Sequence, residues 1–253
     1  MSEKEVREVS VQEGYALWAD SYDREENGLI ILEERQVDRL LAPLSFTHVL
    51  DVGAGTGRHA LKLVRRGAGA RGAAENAGAR HPQAPAAVGA RVTAVDQSPQ
   101  MLALARQAAQ SEGLSINFHL LSLEDGLPFE ANQFDLLICA LTLCHVPNLA
   151  RVVGEFARVL QPGGFLLITD FHPIHTLYGW RTAFQRAGVT YHLPTIGHTR
   201  EDYLEAITAS GLTILEVTEG LVGEMPEGAV PEEFRRAYAD KPFCLSMLAQ
   251  KPR

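Results

Sequence analysis

The chain has little that would commit it to a metal, a membrane or a nucleic acid. Its 253 residues hold three cysteines, Cys139, Cys144 and Cys244. The count is odd and no Cys-x-x-Cys pair occurs, so neither a disulfide framework nor a thiolate metal site is expected, and the thiols read as buried and reduced. Long apolar runs are missing too, since the longest, around Leu136–Val146, is too short to span a bilayer. The start, Met-Ser-Glu-Lys-Glu-Val-Arg-Glu, is charged and lacks an apolar signal core, so a cytoplasmic protein without membrane insertion is expected. Basic residues are in deficit. A net charge of −8, with no stripe of Lys and Arg, argues against a nucleic-acid partner, because phosphate contacts need clustered cations. A small-molecule partner is expected instead, and the sequence carries no signal of oligomeric state.

What is present begins at Val49–Ala60, Val-Leu-Asp-Val-Gly-Ala-Gly-Thr-Gly-Arg-His-Ala, where a short apolar strand runs into glycines at 53, 55 and 57 and then into a helix. The glycines remove side chains where the chain must turn tightly and its amides must approach a ligand, and the N–H groups opening the helix point at that ligand. This is the grammar of a nucleotide-type cofactor site. A dinucleotide fingerprint asks for Gly-x-Gly-x-x-Gly. Here Arg58 follows Gly57, and Asp51 lies two residues before Gly53. Asp-x-Gly-x-Gly-x-Gly resembles motif I of the class I S-adenosylmethionine-dependent methyltransferases.

Further segments resemble that family in the same order. Arg91–Leu102 reads as a strand ending in Asp96, with Ser98 as helix N-cap and Pro99 at the first helical position. Leu121–Phe129 resembles the adenine-side loop, Gln133–Cys139 the fourth strand, and Leu160–Asp170 the Pro-Gly-Gly turn and fifth strand. Strands alternating with helices through Asp170 are the pattern of a parallel, doubly wound sheet. The resemblance implies a seven-stranded α/β sheet, mostly parallel, with helices on both faces and the last strand antiparallel, and S-adenosylmethionine as cofactor. It sets the methionine part against Gly53, Ala54, Gly55 and Gly57 and the ribose on Asp96, with Asp51 also among the cofactor-binding residues. The adenine falls near Gln97, Met101, Leu123 and Glu124, and the Ala140 carbonyl faces the methionine amino group. Ser122 stands where many relatives have an aspartate facing the adenine, and Glu124 or Asp125 can substitute. Trp18-Ala19-Asp20-Ser21-Tyr22-Asp23 resembles the Ala-x-x-Tyr-Asp element with which methyltransferases of ubiquinone and menaquinone biosynthesis close over the donor, which marks Tyr22.

The whole chain, 1–253, reads as one such domain with additions. Residues 1–45 form an N-terminal cap of two helices, with apolar and aromatic residues at helical spacing through Val11–Leu41, Tyr15 and Trp18 among them. Residues 67–90, rich in Ala, Gly and Arg with few aliphatics, read as a low-complexity insertion whose flanks a short turn can join. Residues 171–198 break the alternation after the fifth strand and read as a substrate-side insertion, with Tyr178, Trp180, Phe184 and Tyr191 as candidate walls of an acceptor pocket or as ordinary packing. A helix capped by Thr199, a strand at Thr213–Thr218, a short helix at Pro231–Ala239 and a last strand at Phe243–Ala249 complete the expectation.

Several residues admit two readings. Asp96 can be a strand-end turn former, and Met101 can be core filler. His145, in Leu141-Thr142-Leu143-Cys144-His145-Val146-Pro147, is the candidate catalytic base for a phenol or carboxyl-type acceptor, or a histidine that caps the next helix or lines the pocket. His172 and His175 beside Asp170 lack a second carboxylate at a matching position, so no metal is expected. O-methylation of a small-molecule acceptor is favoured. A nicotinamide-dependent oxidoreductase of Rossmann type, and a non-catalytic partner subunit that binds S-adenosylmethionine, are the alternatives.

Overall fold

The stretches Val49–Val52, Val92–Val95 and Leu136–Cys139 are apolar at nearly every position, as strands covered by helices on both faces must be. The computed structural model describes residues 5–24, 27–66 and 90–253. Its elements in chain order are β1 (Val6–Glu8), α1 (Val11–Trp18), α2 (Gly28–Leu41), β2 (His48–Val52), α3 (58–66), β3 (Arg91–Asp96), α4 (Pro99–Ser111), β4 (Ile116–Leu120), β5 (Phe134–Ala140), α5 (Leu149–Val159), β6 (Leu160–Phe171), α6 (His175–Tyr178), β7 (Ala183–Arg186), β8 (Val189–His192), α7 (Arg200–Ala209), β9 (Thr213–Leu221), α8 (Glu232–Ala237) and β10 (Pro242–Gln250). Single 3₁₀ turns occupy Leu123–Asp125 and Leu143–His145.

Seven strands make one sheet in the order β4-β3-β2-β5-β6-β10-β9. All pairs from β4 to β6 are parallel, and β10 runs antiparallel to both β6 and β9. Alternate residues serve opposite faces. Val49, Leu136 and Ile138 pack with Val37 and Leu40 of α2, while Leu50, Leu137 and Cys139 pack with Phe156 of α5 and Tyr203 of α7. The chain enters at β2, winds out to β4, then returns to β5 on the other side. This reversal opens a crevice at the carboxyl ends of β2 and β5, where open α/β sheets bind ligands.

Local chemistry sets the helix starts. Ser98 Oγ accepts from the Met101 amide at 3.3 Å with Pro99 next in line, Asn148 Oδ1 accepts from the Arg151 amide at 3.0 Å, and Thr199 with Asp202 forms a capping box.

Two features depart from the sequence expectation. A second, three-stranded sheet, β1-β8-β7, joins the start of the chain to the 171–198 region, with β1 parallel to β8. The Pro162-Gly163-Gly164 turn is folded inside the span of β6 as an irregularity, because the pairing steps from Phe134↔Leu160 to Leu136↔Phe165. The expectation of an inserted loop at 67–90 falls, but for Ala90, outside the described residues. The three cysteines are buried and free. Among the described residues no helix is long and apolar enough to cross a membrane.

Candidate active site

The carboxyl ends of β2, β3, β4 and β5 and one face of α1 enclose a cleft of about 990 Å³ counting its mouth. Gly53 and Gly55 line it from the first of these ends, Asp96 and Gln97 from the second, Leu121–Glu124 from the third and Ala140–Thr142 with His145 from the fourth. Met101 reaches it from α4, and Tyr15 and Tyr22 from the N-terminal segment.

Gly53 and Gly55 both have left-handed backbones, φ +68° and +56°, yet they are glycine for different reasons. A Cβ on Gly53 would overlap Thr142 Oγ1, whereas one on Gly55 would meet no protein atom within 4 Å and would stand in the cleft. Gly55 leaves that space for a ligand. Its amide is fixed by Asp96, whose Oδ2 accepts it at 2.8 Å while Oδ1 accepts the Ser98 amide at 2.7 Å. Burial pushes the Asp96 carboxyl above its usual range, and these amides act against that shift. Each oxygen keeps a lone pair for a hydroxyl in the cleft.

The opposite end is polar in one place. His145 Nδ1 lies 2.7 Å from the Pro194 carbonyl oxygen, which can only accept, so Nδ1 carries the proton and Nε2 of the neutral ring is the acceptor. Nε2 is 3.1 Å from the Tyr15 hydroxyl. Burial holds the His145 imidazole below its usual range, while the Pro194 bond and the Asp170 charge oppose that shift. The turn bearing His145 is held from both sides. Fully buried Asp170 accepts the Cys144 amide at 2.7 Å and the Tyr203 hydroxyl at 3.0 Å. From above, the Ile196 amide bonds the Cys144 carbonyl at 2.6 Å and His198 Nε2 donates to the Val146 carbonyl at 2.7 Å. Leu141, at φ +52°, sets the sharp exit from β5, and the Thr142 hydroxyl donates to the Ala140 carbonyl at 2.9 Å.

Most residues marked from the sequence therefore meet here: Tyr22, Gly53, Gly55, Asp96, Gln97, Met101, Leu123, Glu124, Ala140 and His145 all line the cleft. Met101 is also a core residue, 1% exposed, so its two readings coexist. Asp51, Ala54 and Gly57 are not among the lining residues. Asp51 is buried on β2, with Oδ2 unpartnered, and its carboxyl is pushed up to about 6 by burial against the opposing pull of His59. The Ala54 amide bonds the Val95 carbonyl at 3.0 Å, and Gly57 packs against Ala105 of α4. Asn148, not His145, caps α5, which removes the capping reading of that histidine.

The aromatic acceptor wall expected from the sequence is corrected. Tyr178 and Trp180 stack with each other at 4.8 Å and join Phe234 and Tyr238 elsewhere, and Phe184 stacks on Trp18 and Tyr191 at 4.9 and 5.1 Å. None of the four lines the cleft, because aromatic faces were claimed by neighbouring rings. What 171–198 supplies to the site is the Pro194 carbonyl behind His145 and the Ile196 and His198 bonds to the turn that bears it. His172 and His175 lie in the same segment, and among the described residues no group of three potential metal ligands gathers. The residue missed was Tyr15, whose helical spacing reads the same whether it packs or faces a ligand.

A glycine cradle, a strand-end carboxylate, an adjoining apolar wall and a lining without Lys or Arg among the described residues suit a ligand that carries ribose and a positive sulfonium, and they define a class I S-adenosylmethionine site on a doubly wound sheet. Residues 50–168 match a methyltransferase domain family. The chain is 32% identical over 208 residues to a demethylmenaquinone methyltransferase of Deinococcus radiodurans, covering 78% of this chain and 74% of that protein. It is 28% identical over 197 residues to a ubiquinone biosynthesis O-methyltransferase of Thiobacillus denitrificans, again covering 78% and 74%. A solved S-adenosylmethionine-dependent methyltransferase from Listeria monocytogenes shares the fold with a TM-score of 0.64 at 19% identity, over 90% of this chain and all, 100%, of that one. The chain belongs to the class I S-adenosylmethionine-dependent methyltransferases, of the ubiquinone and menaquinone biosynthesis type. Its cofactor is S-adenosylmethionine.

Asp96 carries a direct expectation. Asp96→Ala removes a charged acceptor and frees the Gly55 amide, so S-adenosylhomocysteine should bind roughly 10- to 100-fold more weakly by calorimetry, the equivalent of about 1.5–3 kcal/mol. Circular dichroism should show an intact fold, and unchanged affinity would remove Asp96 from the site.

Proposed function

We propose that this enzyme methylates the hydroxyl of a small, neutral acceptor, with His145 as general base. Bound S-adenosylmethionine supplies an electrophilic methyl group on a sulfonium whose sulfur departs neutral, so the protein has to align the acceptor and manage one proton. The observation that carries the reading is the fixed tautomer of His145, a residue of the cleft lining, with Nδ1–H on the Pro194 carbonyl and Nε2 left as the basic atom beside the Tyr15 hydroxyl. Gly53 and Gly55 would hold the methionine part, Asp96 the ribose hydroxyls, Met101, Leu123 and Glu124 the adenine, and Tyr22 would close the site. Tyr22 is tied down nearby, since the adjacent Asp23 carboxylate accepts the Thr56 hydroxyl at 2.8 Å. Its phenol is pushed up to about 12 by burial, so it stays neutral as a wall should. Ubiquinone and demethylmenaquinone relatives support a small, partly apolar acceptor. Among the described residues the formal charges in the lining are the acidic Asp96 and Glu124, which disfavours carboxylate and phosphate acceptors.

Turnover of S-adenosylmethionine with neutral phenols, benzoates and amines tests this. Neutral phenols should be methylated best. kcat/KM should rise from acid pH and level off above a pKa lower than an ordinary histidine's, because the base works deprotonated and burial favours that form. In His145→Gln that limb should vanish with kcat down about 100-fold. Preference for benzoates or amines, or an unaltered limb, would overturn the reading.

A further inference from the structure

The proton on His145 Nδ1 leaves Nε2 as the basic atom, but Nε2 already has a partner. Tyr15 Oη stands 3.1 Å away, and with the ring neutral its hydroxyl must be the donor. The lone pair of His145 is therefore covered. The Tyr15 oxygen, by contrast, has no other hydrogen-bond partner among the described residues, and Tyr15 lines the cleft. Its ring is held edge-on to His145 at 5.6 Å and stacked on Trp18 at 6.0 Å. Behind it, Gly14 leaves α1 room to seat on Leu193, next to the Pro194 carbonyl that fixes His145. One α1 turn and one 193–194 peptide thus hold the whole Tyr15–His145 pair.

We propose that the acceptor hydroxyl gives its proton to Tyr15 Oη while Tyr15 gives its own to His145 Nε2. The inference rests on the reading of His145 as base and makes Tyr15, not His145, the group that touches the acceptor. The balance is complete. The acceptor oxygen forms its bond to the methyl carbon with one electron pair, the carbon–sulfur bond breaks with its pair passing to sulfur, and the acceptor O–H pair stays on oxygen. Tyr15 begins and ends as a neutral phenol. The net positive charge of the sulfonium reappears on the His145 imidazolium, which the buried Asp170 carboxylate faces through the Cys144 turn. Burial keeps the Tyr15 phenol well above its usual range, so no tyrosinate need form before transfer.

The test is methyl transfer to catechol, a neutral diphenol, by wild type, Tyr15→Phe, His145→Gln and the double variant, in H₂O and D₂O. Tyr15→Phe keeps the ring and its stack. It should lower kcat at least tenfold while KM and calorimetric affinity for S-adenosylhomocysteine stay within about twofold. The double variant should be no slower than the slower single, since the two residues act in series. The dependence of rate on D₂O fraction should be curved in wild type, with two protons in flight, and linear in Tyr15→Phe. A wild-type kcat in Tyr15→Phe beside an impaired His145→Gln would overturn the relay and leave the base in place, as would an effect of Tyr15→Phe confined to KM. An unchanged kcat in His145→Gln, or no catechol turnover by wild type, would overturn the base reading and the relay with it.

Discussion

Gly55→Val removes measurable binding of S-adenosylmethionine and S-adenosylhomocysteine from a chain that still folds. A Cβ at this position meets no protein atom within 4 Å, so the protein itself has space for the new side chain. The objections are local. A β-branched residue at φ +56° costs about 1–3 kcal/mol in backbone strain, and the isopropyl group stands where the cradle receives its ligand. Relief of the strain also draws the Gly55 amide away from Asp96 Oδ2. Gly53 would make a poorer test, because its Cβ would overlap Thr142 and loss of binding would be confounded with damage to the loop. Calorimetry on a Gly55→Val variant with wild-type circular dichroism decides the matter. Unaltered affinity would mean that this loop does not cradle the cofactor.

Glu33→Ala should cause the largest loss of stability. Glu33 is fully buried on α2, where its carboxylate accepts from Arg58 at 2.7 Å, His59 at 3.0 Å and the Thr169 hydroxyl at 2.9 Å, joining α2, α3 and β6. Burial alone would push this carboxyl up, but the charges and hydrogen bonds of His59 and Arg58 outweigh it and hold it at about 2. Its removal leaves buried His59 and Thr169 without their acceptor and Arg58 with Glu34 alone, at 3.1 Å, and costs about 3 kcal/mol, which for a domain of this size lowers Tm by roughly 10 °C. The pH dependence has a definite sign. The folded pKa lies below the unfolded value of 4.5, so the stabilisation is full above pH 4.5 and is lost as pH falls from there toward 2. Chemical denaturation across that range should therefore show the gap between wild type and Glu33→Ala closing as acid is added. A constant gap would mean that the charge of Glu33 contributes nothing and that its packing does.

The donor half of the cleft was legible because its signals are local. Gly53, Gly55, the Asp96 strand end and the Ser98-Pro99 cap each state a backbone requirement within a few residues. The half around Tyr15 and His145 was less so. Tyr15 and His145 are 130 positions apart, and nothing near either one names the other. The three-residue strand β1 is exposed along its length and has no apolar alternation to betray it. The aromatics of 171–198 pointed to a pocket that they do not line, since composition cannot say which ring will stack with which. Asp51 shows the same limit, as a motif residue whose side chain is buried away from the cleft lining.

The pairing of β1 with β8 joins residues 6–8 to residues 190–192, at the two ends of a long excursion through the whole parallel sheet. In kinetic terms this is a contact of high order, and its loop-closure entropy is recovered only after the sheet between has formed. Contact order therefore predicts that the glycine floor matures before the wall carrying Tyr15 during folding. The same hierarchy predicts that local opening in the native state releases α1 and the β7–β8 hairpin before the glycine cradle, so amides of residues 6–18 and 183–192 should exchange faster than those of 53–57. On the proposed reading, acceptor entry and product exit would then use the last-made contact of the fold and leave the glycine cradle assembled.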